Sequence, residues 1–220
     1  MTSPHLSNPN QHRTRLNRTS QPPDSEFTGK YEQTGRIGRL LIERFFRSGK
    51  SLLQPALHGG ARILEAGCGP GYSSREIASW CPGGHLTAAD LSGSLLARAR
   101  KLNPNLALLR ESVVQLAHPD NSFDAVILLE VLEHLEQPER ALAELRRVAR
   151  HHVLLSTPRE PLWRFLNFSR GKYWKAFGNT PGHIQHWSTR GLIRQVSPFF
   201  TVEAVATPIP WTILLLKPRP

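Results

Sequence analysis

Between Ile63 and Ser74 the chain runs from an apolar pair through an acid, Glu65, into three alternating glycines, Gly67, Gly69 and Gly71. A polar segment follows at once. The pattern reads as a strand, a tight turn and a helix start. Missing side chains let a ligand lie against the backbone, and a helix start offers N–H groups without helical partners. A plain glycine turn between a strand and a helix has the same pattern, so the rest of the chain must decide.

The rest of the chain alternates. Strands are expected at 62–66, 85–89, 106–109, 124–129 and 151–156, separated by segments of helical spacing. Asp124-Ala125-Val126-Ile127-Leu128-Leu129 is almost continuously apolar, as a parallel strand buried on both faces is. Phe199–Ala206 and Trp211–Leu216 read as a closing antiparallel pair joined through Pro208 and Pro210. The expected fold is α/β: a doubly wound, Rossmann-like, seven-stranded and mostly parallel sheet with a terminal antiparallel strand. Its ligand site belongs at the C-terminal ends of the strands.

Three segments flank or interrupt this unit. Residues 1–26 are polar and carry Arg13, Arg15 and Arg18, so a disordered basic tail is expected. Residues 27–60 are expected to form a helical cap, with one helix from about Gln33 to Arg47 and a short second one before Pro55. Gly29-Lys30-Tyr31 could cover the site. The main domain is expected over 61–217, broken at 158–190 by an aromatic, basic, glycine-punctuated stretch that reads as a substrate lid.

The net charge of +11 favours anionic partners, nucleic acid or a weakly held anionic membrane surface among them. Cys68 and Cys81 are too few for a disulfide framework and read as small buried thiols. With no apolar run early in the chain and none of membrane-spanning length, a reducing, cytoplasmic setting is expected.

Two nucleotide readings compete for the turn. A dinucleotide site wants a third glycine where Tyr72 stands, and Glu65 would sit beside its phosphates. A phosphate loop would need a Gly-Lys-Ser/Thr that does not follow. S-adenosylmethionine carries no phosphate, its sulfonium and ammonium tolerate acids, and its ribose diol can donate to Asp90 at the end of the second strand. Asp90 could equally cap the following helix.

Glu65-Ala66-Gly67-Cys68-Gly69-Pro70-Gly71, Asp90-Leu91-Ser92, Ser122-Phe123-Asp124 and Glu130-Val131-Leu132-Glu133-His134-Leu135 fall in order. Together they resemble the motifs of class I S-adenosylmethionine-dependent methyltransferases, in particular the small "methyltransferase type 11" domains, over about residues 61–156. The ends resemble an uncharacterised bacterial branch, through Gly29-Lys30-Tyr31, the stretches 158–163 and 178–183, and Pro210-Trp211-Thr212. The resemblance implies that Glu65, Gly67, Gly69 and Gly71 hold the methionine part of the donor and that Asp90 and Leu91 hold ribose and adenine. It also implies that Glu130 faces donor and acceptor. The family's adenine-binding acid falls at Ser112, beside Val113 and one residue after Glu111. The glycine-rich turn common before the fifth strand is replaced by Ala149-Arg150-His151-His152.

The acceptor is expected to be a small molecule or lipid precursor, methylated on oxygen or carbon. An oxygen acceptor calls for a base, and His183, His186 and His134 are the candidates. Trp163, Trp174 and Trp187 could wall an apolar pocket. His183 and His186 lack a third ligand at useful spacing, so no metal is expected. An RNA methyltransferase or a non-catalytic S-adenosylmethionine-binding protein is the alternative. The absence of an Asn/Asp-Pro-Pro-Tyr/Phe motif and of a Pro-Cys nucleophile speaks against nucleic acid.

Overall fold

The strand residues sort by the two-residue period of a β-strand into two cores, one on each face of a single sheet. Ile63, Ala125, Ile127, Leu154, Ile213 and Leu215 point to one face, and Leu64, Val126, Leu128, Val153, Leu155 and Leu214 to the other. The computed structural model describes residues 35–171 and 173–220. The tail expected over 1–26 and the Gly29-Lys30-Tyr31 cover lie outside the described residues.

Helix α1 (Arg36–Leu53) leads in, followed by β1 (Arg62–Ala66), α2 (Tyr72–Ala78), β2 (His85–Asp90), α3 (Gly93–Leu102) and β3 (Ala107–Arg110). Then come β4 (Phe123–Leu129), α4 (Pro138–Val148), β5 (Ala149–Pro158), α5 (Leu162–Ser169), α6 (Thr189–Val196), β6 (Phe200–Ala206) and β7 (Trp211–Pro218). Strand order is β3-β2-β1-β4-β5-β7-β6. The first five strands pair in parallel, and β7 runs antiparallel to both β5 and β6. The sheet is seven-stranded and doubly wound, the Rossmann-like architecture expected from the sequence.

The order of strands reverses between β1 and β4, so the chain leaves those two neighbours toward opposite faces. The crevice that opens between their C-terminal ends is where a ligand site forms in such sheets. The turn after β1 carries Gly67, and the turn after β4 carries Glu130.

Helices α1 and α2 cover the first face through Phe45, Phe46, Leu53 and Ile77; α4 and α6 cover the second through Leu142, Leu145, Leu192 and Val196. One helix stands where two were expected at the start. Ser48-Gly49-Lys50 reads as a break, yet Gly49 is buried with the rim of Trp80 against it, where even a Cβ would approach Cη2 to 3.1 Å. The helix continues until Gln54-Pro55-Ala56 closes it as a 3-10 turn. No described helix is long and apolar enough to cross a membrane.

Candidate active site

The three glycines of the opening turn share a left-handed backbone but do different work. Gly71 (φ +86°) starts α2, and a side chain there would press within 2.9 Å of Ala99 on α3, so it packs two helices together. At Gly69 (φ +53°) a Cβ would meet nothing within 4 Å, and the open side faces a cavity of about 550 Å³. Gly67 also borders that cavity, packed against Val131. The backbone N–H groups of Gly67 and Cys68 both donate to the carbonyl of Ala89, at 2.7 and 2.9 Å, tying the turn to the end of β2.

Asp90 closes the turn. One carboxylate oxygen accepts from the Gly69 N–H and the other from the Ser92 N–H, each at 2.8 Å, and the side chain also borders the cavity. The cap of α3 is Ser92, whose hydroxyl accepts from the Leu95 N–H. Asp90 is therefore not the helix cap that its sequence position allowed. Leu91, Ser112 and Val113 border the same end of the cavity.

Glu65 is buried and is not on the cavity wall. The Ser74 hydroxyl donates to its Oε2 at 2.5 Å, while Oε1 is buried without a hydrogen-bond partner. Burial first, opposed by the Ser73 and Ser74 hydroxyls and helped by the charge of Asp90, pushes its carboxyl up from 4.5 to about 7. Burial likewise pushes the Cys68 thiol up, which leaves it inert as a nucleophile.

Glu130 follows β4 in a left-handed conformation (φ +58°). Ser156 Oγ donates to its Oε1 and Trp211 Nε1 to its Oε2, both at 2.8 Å. A residue expected to face donor and acceptor thus also fastens the β6–β7 hairpin to the centre of the sheet.

Beyond Glu130 the cavity changes character. Ile37, Leu41 and Phe45 of α1, Trp163 and Leu166 of α5, and Trp211 of β7 wall it with apolar surface. Asn167, buried in the same wall, donates to the Gly178 carbonyl at 3.0 Å and to Thr180 Oγ1 at 3.2 Å, and Trp163 Nε1 donates to that hydroxyl at 2.9 Å. The other two tryptophans named from the sequence lie elsewhere: Trp174 is exposed and stacked on Phe168, and Trp187 packs on the second core.

The histidines separate. His134 borders the cavity, and its Nδ1 lies 2.9 Å from the Gly182 carbonyl. A carbonyl only accepts, so Nδ1 carries the proton, and in the neutral ring Nε2 is the basic nitrogen. His183 is buried behind it, its ring edge-on to His134 at 4.9 Å and stacked on Trp163 at 6.0 Å. His186 is exposed, bonded to Asn179 at 2.8 Å, and not on the cavity wall. Glu133, His134 and His183 bring one donor atom each within 4.8 Å of one another. The sequence had weighed His183 with His186 as a metal pair. The turn at Pro181-Gly182 instead directs His183 inward and His186 out.

A family model described as a methyltransferase domain matches residues 64–156. A probable S-adenosylmethionine-dependent methyltransferase of Mycobacterium tuberculosis is 35% identical over 112 residues, covering 50% of this chain and 38% of that protein. A sterol 24-C-methyltransferase of Gibberella zeae is 33% identical over 95 residues, covering 40% of this chain and 25% of the relative. The magnesium protoporphyrin IX methyltransferase of Synechocystis PCC 6803, solved with bound SAH, superposes with a TM-score of 0.68 at 18% identity. That superposition covers 89% of this chain and 93% of the other. Residues 64–156 match a methyltransferase domain and are similar to proteins named as S-adenosylmethionine-dependent methyltransferases. The chain spans well under half the length of these two curated relatives.

The methyltransferase domain brings together at one cavity Gly67, Gly69, Asp90, Leu91, Ser112, Val113, Glu130 and His134 from the residues named by sequence. Glu65, Gly71, His183 and His186 do not border it. Sequence reasoning placed Trp211 and Thr180 in stretches that resemble a bacterial branch without giving them a site role, and it passed over Asn167. The spacing of Trp163, Leu166, Asn167 and Arg170 is that of one helix face and could have marked the inner side of α5.

Proposed function

We propose that this chain transfers a methyl group from S-adenosylmethionine to an oxygen of a small, largely apolar, lipid-like acceptor, with His134 as the base. The observation that carries the reading is one continuous cavity with two chemistries. A polar end is made by the glycine turn and Asp90, and an apolar end by α1, α5 and β7, with His134 on the wall.

The residues present fit the donor. Gly69 leaves room against the backbone, and Asp90 is an acceptor at the right place for a ribose diol. Glu65 has a buried, unpartnered oxygen and a carboxyl that a cation would hold ionised. Leu91, Ser112 and Val113 would flank the adenine. Bound S-adenosylmethionine supplies a methyl group on a sulfonium, which a nucleophile takes by direct displacement. The protein's task is then to align the acceptor and remove its proton. Trp163 and Trp211 hold the acceptor's apolar body. His134, with its Nδ1–H fixed on Gly182, is the base; its Nε2 is buried 4.0 Å from Glu133 Oε1, so the ring must present that nitrogen to the acceptor as it is seated. Glu133 and His183 orient that ring. The sterol and protoporphyrin acted on by two of the related proteins are themselves bulky and mostly apolar, in keeping with a chamber of this kind.

Incubation of a cell extract with the protein and methyl-labelled S-adenosylmethionine, followed by identification of the labelled product, tests the reading. An O-methylated, organic-soluble product is expected. Label in RNA, or calorimetry showing no donor binding, would sink it.

A further inference from the structure

Residues 161–178 have an inner and an outer face, and the outer one is unlike a wet surface. The inner face, Trp163, Leu166 and Asn167, walls the cavity. On the outer face Phe165 is 67% exposed, Trp174 61% and Phe177 74%, with Phe168 stacked against Trp174 at 4.6 Å. Single exposed apolar side chains are ordinary, but four large aromatic rings in one short segment are not. Tyr173 and Phe177 hold left-handed backbone (φ +56° and +49°), a costly geometry for bulky residues that brackets Trp174.

The segment is held at its neck. The Glu160 N–H donates to the Trp187 carbonyl, and the Ile184 and Gln185 N–H groups both donate to the Glu133 carbonyl, each at 3.0 Å. Arg164 and Lys175 fall between the rings in sequence, Arg170 stands on the cavity side of the same segment, and no Asp or Glu occurs from Pro161 to Gly178. Arg170 and Ile37 are both exposed and both border the cavity, so the cavity mouth opens beside this face.

We propose that the outer face of residues 161–178 docks on an anionic bilayer surface and sets the cavity mouth against the lipid. Rings that enter the headgroup region between cations that meet anionic lipid are the usual composition of such a face. A second copy of the chain would oppose one cationic patch with another, which charge disfavours. The inference deepens the lipid-like reading of the acceptor and gives that acceptor a route from the membrane. Its test needs no turnover, so it can fail while the methyl transfer stands.

The full chain is sedimented with vesicles of phosphatidylcholine alone and with vesicles that also contain phosphatidylglycerol. Binding to the anionic vesicles, weakened by salt and accompanied by a blue shift of tryptophan emission that a Trp174→Phe variant loses, is expected. The triple variant Phe165→Ser, Trp174→Ser, Phe177→Ser should lower partitioning at least about tenfold. Lys175→Gln should lower it about fivefold on anionic vesicles only. Calorimetry of donor binding by each variant confirms folding. No binding to either vesicle, or binding unchanged in the triple variant, overturns the proposal. So does self-association that the triple variant abolishes without any vesicle binding, which would make the face a contact between copies.

Discussion

The two ends of the cavity are built in opposite ways. The donor end is made of backbone: turns after β1 and β2, closed by one carboxylate that accepts from Gly69 and Ser92. The acceptor end is made of side chains from α1, α5 and β7, the first of them more than a hundred residues before the other two. A backbone site with two fixed acceptors has few ways to vary, whereas a wall of separate side chains can be re-lined one residue at a time. One cavity can therefore keep its donor while changing its acceptor.

The sharpest break of that comparison is at His134, which the proposed methyl transfer uses as its base at the acceptor end and donor binding does not use. His134→Gln should lower kcat by about 10²–10⁴-fold and leave the calorimetric affinity for S-adenosylmethionine within a factor of about two. Overnight dialysis against a chelator should change neither value. A chelator-sensitive wild type would instead make Glu133, His134 and His183 a metal centre.

Asp90→Ala strikes the other end. Removing both clamps and the ribose acceptor should weaken donor binding on the order of 100-fold, about 2.7 kcal/mol, with the fold retained by circular dichroism. Unchanged affinity would remove the donor site from this turn.

Glu65 gives a smaller, pH-dependent effect. Because its carboxyl ionises near 7 in the folded protein instead of at 4.5, the folded state holds a proton that the unfolded state has lost. Stability contributed by this group is therefore greatest below 4.5 and falls as pH rises to 7. Glu65→Gln should raise stability at pH 8 by about 2–3 kcal/mol in denaturant titrations. A cationic ligand needs the ionised carboxylate, so wild-type donor affinity should rise between pH 6 and pH 8, by up to about tenfold. The variant should lose that rise, and a pH-independent wild type would detach Glu65 from the ligand. The smallest effect is expected at His186, exposed and off the wall: His186→Ala should leave kcat within about twofold.

The same contrast explains what could be read from the sequence. Strand positions and the donor end follow from local spacing: the run at 124–129, the glycines of the turn, and an acid at the end of β2. Even there, spacing could not say that Gly71 packs against Ala99 while Gly69 faces the cavity, because both depend on where α3 lies. The acceptor end depends on tertiary contacts throughout. His134 reaches the cavity and His186 does not because Gly182 and the Glu133 carbonyl pin the returning chain. No local pattern encodes that. Trp211 was visible as a strand residue, but its bond to Glu130 joins positions 81 apart.

That bond has a consequence for how such a protein can be altered. Glu130 spends one oxygen on Ser156 and the other on Trp211, so the hairpin wall of the acceptor chamber and the end of β4 share a single carboxylate. Replacing Trp211 to enlarge the chamber would take one hydrogen-bond donor away from a half-buried carboxylate, beside the donor end. Directed evolution toward larger acceptors should therefore collect its changes in α1 and α5, and leave Trp211 alone.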